Sequence, residues 1–292
     1  MNINKKNNLD ILKVNENQGV TYLTYNKLSE YSDFVHAFST RLGGVSEGIY
    51  SSMNLSFTRG DEEDRVYENF HRFTSAVGVP YESIVMSDQT HTDNVRVVTS
   101  KDMGNGLTRK KEFFDTDGLI TNERGITLFT SYADCVPLFF IDPVNKAIGL
   151  SHSGWRGTVQ RIGKVTVDKM RENYGTNSAD VIAAIGPSIC FDCYEVSEDV
   201  AVKFMEEFKD DKLVVTSQRE YFKSHKIEKE ATEGKYQLDL WRANQIVLME
   251  AGIKPENIAC TNICTCCNPD FLFSHRASQG KRGNLAGVLM IK

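Results

Sequence analysis

The chain has 292 residues, of which 40% are hydrophobic and 25% charged, with a formal net charge of −5. That balance is ordinary for a folded soluble domain, and the mild acidity speaks against nucleic acid or an anionic membrane surface as partner, both of which favour a basic face. No run reaches the ~18 apolar residues of a membrane span, and residues 1–18 are polar without a signal-peptide core, so secretion is not expected and a cytoplasmic location is.

Residues 1–18 read as a loosely attached extension. Residues 20–25 and 34–40 read as strands. The second runs into Arg41-Leu42-Gly43-Gly44, whose glycine N–H groups and guanidinium suit an anion, and which also suits a plain turn with an exposed arginine. Residues 61–77 have helical spacing, with Val66, Phe70, Phe73 and Val77 on one face, Asp61 as N-cap and Gly78 as stop; His71 is placed on its surface. A short strand, 84–86, ends in the polar run Ser87 to Asn94, which carries His91, and 95–98 resumes a strand. Residues 100–112 read as an exposed loop, and 115–121 return to the core.

Residues 127–131 and 138–141 are apolar strands separated by Tyr132-Ala133-Asp134-Cys135. Asp142-Pro143-Val144-Asn145 is a turn. Residues 147–150 then form a returning strand, which delivers His152 and Gly154-Trp155-Arg156-Gly157 at its far end. A strand, a tight turn and a returning strand place Cys135 and His152 at neighbouring positions. One helix over 158–174 follows, stopped by Gly175, then a strand over 181–185, an amphipathic helix over 196–208, a charged and poorly periodic excursion over 209–235, and a helix over 238–251. The last strands are expected from 258, over 271–276 and over 285–291. No internal repeat or linker divides this order. The expected fold class is therefore α+β: a single domain, residues 1–292, with a large mixed β-sheet core flanked by helices.

Seven cysteines, an odd number without a regular framework, fit reduced thiols in a cytosolic protein. Cys190/Cys193 and Cys264/Cys267 each have CxxC spacing, and two such pairs could form a structural zinc site. Set in segments that look like core, they are expected to be ordinary buried thiols instead.

Three residues stand out as site candidates: His91, Cys135 and His152. Each ends or follows a strand among Gly, Ser, Thr or Asp, where a rigid scaffold commonly places chemistry. Two neutral imidazoles, a thiolate and an open fourth position make the catalytic form of a zinc site, which would lower the pKa of bound water towards ~7 and polarise a substrate oxygen. The same residues suit a metal-free nucleophile pair, with Cys135 as thiolate, His152 as base and His91 or Asp134 as orienter. They could also be three unrelated residues. A multicopper oxidase is a poor match, because the chain has six histidines and no His-x-His pair.

The segments FSTRLGGVS, DQTH, TDGLIT, ADCVPL, SHSGWRGT, IGPSICFDCYEV, FLFSHR and the LAGVLMIK end resemble, in order and from about Phe34 onward, the multicopper polyphenol oxidase (laccase-domain) family, the YfiH/YlmD-type purine nucleoside phosphorylases. The resemblance implies a YfiH-like αβ sandwich, a zinc ion (Zn2+) held by His91 (in DQTH), Cys135 (in ADC) and His152 (in SHSGWRG), and activity on purine nucleosides. The implied reactions are phosphorolysis of adenosine, inosine and methylthioadenosine and hydrolytic deamination of adenosine. Phosphorolysis requires an anion held beside the ribose C1′, for which Arg41 and Arg156 are the candidate cations. Asp134, the carboxylate nearest the metal in sequence, is assigned a supporting or proton-handling role, and Trp155 either stacks on a base or belongs to the core. Thr92 stands where glycine is frequent in the family, and Asn69-Phe70 where Asn-Arg is, so no substrate contact is carried over to that helix. The expected partners are purine nucleosides and phosphate, with a homodimer as the candidate assembly. The competing function is a metal-free Cys–His hydrolase or amidase acting on a small peptide-like conjugate.

Overall fold

A computed structural model describes residues 2–292. It begins with an antiparallel pair, β1 (Leu12–Asn17) and β2 (Val20–Tyr25). Gln18 and Gly19 between them have φ of 51° and 75°, a two-residue turn whose twist matches that of the strands. The expected loose extension is thus an edge strand from Leu12 on. The residues before it are also tied down: Lys6 N–H donates to the Asn262 carbonyl (2.8 Å) and Asn4 N–H to Asn268 Oδ1 (2.7 Å). Their polar side chains gave no apolar signal, because backbone bonds do the anchoring.

The one-turn helix α1 (Asn26–Ser29), β3 (Phe34–Ser39) and α2 (Glu63–Val77) follow. Helix α2 buries Val66, Phe70 and Phe73 and stops at Gly78 in the left-handed conformation, φ 81°. It starts after Glu62, without a side-chain cap. The expected cap, Asp61, accepts instead from the Ser46 hydroxyl (2.6 Å) and the Asn54 amide (3.0 Å).

The central strands are β4 (Ile84–Met86), β5 (Val95–Val97), β6 (Gly118–Thr121), β7 (Thr127–Tyr132), β8 (Val136–Asp142) and β9 (Ala147–Ser153). Strands β8 and β9 are buried along their whole length, which is why they read as continuous apolar runs. The Asp142 carboxylate closes their turn by accepting from the N–H groups of Val144 (2.9 Å) and Asn145 (3.0 Å). The helix expected over 158–174 is two, α3 (Trp155–Val159) and α4 (Ile162–Tyr174). The break falls at Arg161, φ 62°, whose guanidinium pairs with Glu250 and Glu207; tertiary contacts override the local period.

The rest of the chain forms β10 (Ile182–Ile185), β11 (Glu195–Ser197), α5 (Glu198–Glu207), β12 (Val215–Ser217), α6 (Gln218–Ser224), β13 (Lys235–Leu238), α7 (Leu240–Glu250), β14 (Ile258–Cys260) and β15 (Leu285–Ile291). The charged excursion is therefore structured: β12 pairs with β13, which pairs with β11. Few of its residues are buried, Val215, Gln218 and Tyr221 among them, too few to set a readable period. The strand expected over 271–276 is a run of turns, with the N–H groups of Phe271 and Leu272 both donating to the Asn268 carbonyl. Burial of Phe271 and Phe273, not pairing, makes it apolar.

Two six-stranded mixed sheets result, ordered β1-β2-β3-β15-β7-β4 and β14-β10-β8-β9-β6-β5. Phe38, Leu128, Phe139, Leu150 and Leu289 pack in the core between them. Helix α2 covers the outer face of the first sheet through Phe70 and Phe73, and α4, α5 and α7 cover the second through Val167, Phe204 and Val247. The domain is a four-layered αβ sandwich. No helix among the described residues is long and apolar enough to cross a membrane. Cys190, Cys193, Cys264 and Cys267, expected to be separate buried thiols, converge, with their sulfurs within 4.8 Å of one another. A parallel bridge between Ser188 and Cys264 lays the two segments side by side, a pairing that local spacing does not reveal.

Candidate metal centre and its cleft

Antiparallel pairing of β8 with β9 sets Val136 opposite Ser153 and Pro137 opposite His152. Cys135, one residue before β8, therefore reaches the same sheet end as His152. The loop after β4 brings His91 to that end. The donor atoms of all three lie within 4.8 Å of one another, with His91 Nε2 3.9 Å from Cys135 Sγ. The two imidazole rings meet edge-on, with centroids 5.0 Å apart. His152 is buried, Cys135 half-buried and His91 exposed, so the group opens on the His91 side.

The backbone is shaped for this convergence. His91 (φ 69°) and Asp134 (φ 84°) both take the left-handed conformation that L residues seldom adopt. Gly154 lies against the group: a Cβ there would sit 2.8 Å from His91 Cδ2 and 3.2 Å from Cys135 Sγ. Only glycine leaves room for the three donors.

Asp117, fully buried, organises both histidines. Its carboxylate accepts from His152 Nδ1 (2.7 Å) and from the backbone N–H groups of Thr90 (2.9 Å), His91 (3.1 Å) and Thr92 (3.0 Å). Burial would push its carboxyl up, but the His152 imidazole and the Thr92 and Thr90 N–H groups overcome this and hold it below its ordinary value. With Nδ1–H donated to Asp117, His152 turns Nε2 towards Cys135 and His91, as a metal ligand steered by a carboxylate does. Burial likewise opposes ionisation of the Cys135 thiol, yet the imidazoles of His152 and His91 bring it down to about 6. The thiolate and Asp117 in turn raise His152 to about 9 against the same burial. A thiolate, two imidazoles and an open side fit a divalent transition metal, in the catalytic type of site with three protein ligands.

The other sequence candidates are placed differently. Asp134 sits next to Cys135, but its carboxylate is fully engaged, accepting from the Thr265 hydroxyl (2.6 Å) and the Arg276 N–H (2.7 Å); it holds backbone. Arg41 lies away from the centre, donating to the carbonyls of Ser51 (2.8 Å) and Pro269 (2.6 Å) and covering Phe273. Arg156 stacks on Trp155, 4.4 Å from its ring, beside a small recess that also touches His91 and Asp134.

A cleft of about 340 Å³ is lined by His91, Cys135 and His152 together with Arg59, Lys111 and Arg282. Lys111 is paired with Asp88. Arg282 is brought down to about 10 by burial and by the nearby Arg59 guanidinium, and its Nε has no hydrogen-bond partner. Asp117, Arg59 and Arg282 were not singled out in the sequence. Asp117 was read only within a segment, 115–121, that returns to the core, and the two arginines have no local signature.

A sandwich of this topology carrying a His/Cys/His centre defines a recognisable class. A family model described as multi-copper polyphenol oxidoreductase laccase matches residues 35–292, and the chain belongs to that family. It is 34% identical over 261 residues to "Purine nucleoside phosphorylase YlmD" of Bacillus subtilis, covering 89% of each chain. It is also 34% identical to "Adenosine deaminase RL5" of an unknown prokaryotic organism, covering 83% of this chain and 88% of that one. The crystal structure of Bacillus licheniformis hypothetical protein YfiH superposes with a TM-score of 0.85 at 30% identity, over 97% of this chain and all of that one.

Proposed function

We propose that this chain is a cytoplasmic zinc-dependent purine nucleoside enzyme that carries out phosphorolysis of adenosine, inosine and methylthioadenosine and hydrolytic deamination of adenosine. The carrying observation is the open face of the His91/Cys135/His152 group on a cleft whose wall holds two neighbouring guanidiniums, Arg59 and Arg282. The names of relatives such as the Bacillus subtilis phosphorylase and the RL5 deaminase supply the substrate class. A cleft of about 340 Å³ is on the scale of small-molecule sites.

Zinc at the three donors would supply Lewis acidity and a lowered pKa for water. The chain's residues do the rest. Asp117 fixes His152 with Nε2 free to ligate. Arg59 and Arg282, mutually repulsive until an anion joins them, are placed to hold phosphate by charge-assisted hydrogen bonds. In phosphorolysis the C1′–N9 bond breaks, a C1′–O bond to phosphate forms, and the base leaves with a proton. In deamination water oxygen replaces the C6 amino group and ammonia leaves. Arg59 and Arg282 serve the first reaction and are dispensable to the second.

A second reading rests on the Cys135–His152 pair, which without metal is poised as thiolate and imidazolium between pH 6 and 9: a cysteine hydrolase or amidase. One experiment separates the two. Adenine and ammonia release from adenosine is measured with and without phosphate, for wild type and His152→Ala, with zinc quantified in both. Phosphate-dependent adenine release lost together with zinc in the variant supports the nucleoside enzyme. No product from zinc-loaded wild type refutes it. Amide hydrolysis by zinc-free protein, blocked by thiol alkylation, would establish the second reading.

A further inference from the structure

The geometry points to a second metal centre: a structural zinc held by the thiolates of Cys190, Cys193, Cys264 and Cys267. Four sulfurs each ~2.3 Å from a tetrahedral ion lie ~3.8 Å apart. The four Sγ atoms here lie within 4.8 Å of one another, the Cys193–Cys267 pair at 3.4 Å. That pair is too far apart for the ~2.05 Å disulfide bond, and all four cysteines are free. The sequence pattern, two CxxC pairs from separate segments, is that of a four-cysteine structural zinc site.

The surroundings are built for thiolates. The Cys190 N–H donates to Cys264 Sγ (3.3 Å). Cys190 and Cys264 are buried, and Cys193 and Cys267 half-buried. Zinc binding replaces four S–H protons by four metal–sulfur bonds, leaving a net charge of two minus. Lys6 sits against this charge, beside Cys190 and Cys267 and paired with Asp192 at 2.9 Å. Arg276 covers the other side, donating to the carbonyls of Cys193 (3.2 Å) and Glu195 (2.8 Å).

The centre has a mechanical role. It clamps residues 188–195 to residues 261–276, and both segments hold Asp134. Ile189 N–H donates to the Asp134 carbonyl (3.0 Å), while Thr265 and Arg276 hold its carboxylate. Asp134 is the residue before Cys135, so the four-cysteine centre steadies the thiol of the first. This inference is independent of the nucleoside reading, since it concerns metal content and not turnover.

The test quantifies zinc in full-length protein purified without chelator. Wild type is expected to hold two zinc ions per chain. Cys135→Ala/His152→Ala, which removes the first centre and touches none of the four cysteines, should hold one. Cobalt substituted into that variant should show sulfur-to-metal charge-transfer absorption of an intensity that needs four thiolates. Cys193→Ser/Cys267→Ser should lose one zinc relative to wild type. If it fails to fold, the other variant still decides. A metal-free Cys135→Ala/His152→Ala protein, or one in which thiol counting finds the four cysteines closed into disulfides, overturns the inference.

Discussion

The His91/Cys135/His152 centre and the four-cysteine centre are linked through Asp134, yet they are built by opposite rules. The first mixes two imidazoles with one thiol, exposes His91 and opens on a cleft. The second draws on sulfur alone, with Cys190 and Cys264 buried and none of its four cysteines lining the cleft. The supports differ too. Imidazole orientation is set by a buried carboxylate, Asp117, whereas the thiols sit on turns, with the Cys190 N–H donating to Cys264. Two ligands at the β8–β9 sheet end and one on a loop leave a position for substrate; four ligands on turns use every position to join segments.

The largest expected effect separates the centres by one methyl group. Gly154→Ala places a Cβ 2.8 Å from His91 Cδ2 and 3.2 Å from Cys135 Sγ. Zinc analysis should find the first centre empty, with nucleoside turnover at background and the four-cysteine centre still loaded. Full zinc retention would show that the first centre tolerates spreading. Next, Asp117→Asn removes the carboxylate that steers His152 and should cost ~10–100-fold in zinc affinity or activity. Chelator competition measures it, and an unchanged affinity would mean that the histidines need no steering.

Acid tests both centres, but against a background set elsewhere. His36 is buried and accepts the Tyr25 N–H through Nε2 (2.8 Å); burial depresses it from 6.5 to about 4. Above pH 6.5 it is neutral in folded and unfolded chains alike. Below, the unfolded chain takes up a proton that the folded one refuses, so stability falls, by about 2 kcal/mol at pH 5 and about 3 kcal/mol at pH 4. Urea unfolding of wild type and His36→Gln across this range should show the slope lost in the variant, leaving what metal release contributes. The smallest effect concerns the cleft wall. Arg282→Gln should raise KM for phosphate ~10-fold, the worth of one charge-assisted hydrogen bond, with adenosine deamination unchanged. Equal loss of both activities would assign Arg282 to the nucleoside instead.

The sequence made the strand ends legible. Strands β8 and β9 are buried throughout, so their apolar runs were continuous and the polar residues at their ends, Cys135 and His152, stood out. His91 was found the same way, after β4. What stayed hidden depends on pairing across the chain. Asp117 was read only as part of a segment returning to the core, because its four partners are supplied by folding. The two CxxC pairs, 74 residues apart, looked independent. Arg41 was expected at an anion and is spent on two carbonyls, since a guanidinium beside a glycine turn can donate to either. The 209–235 segment buries too little apolar surface to show a period, although it holds the paired strand β12 and helix α6.

Strand β15 lies between β3 and β7 in the first sheet, with Ile291 opposite Phe34. On a ribosome adding about 5–20 residues per second, β3 emerges ~10 s or more before the strand that completes it. During that interval the nascent chain carries an unpaired apolar sheet edge. The centre of the first sheet closes only as the final strand clears the exit tunnel. Synthesis rate and chaperone access therefore bear on the yield of this protein alongside the stability of its finished fold.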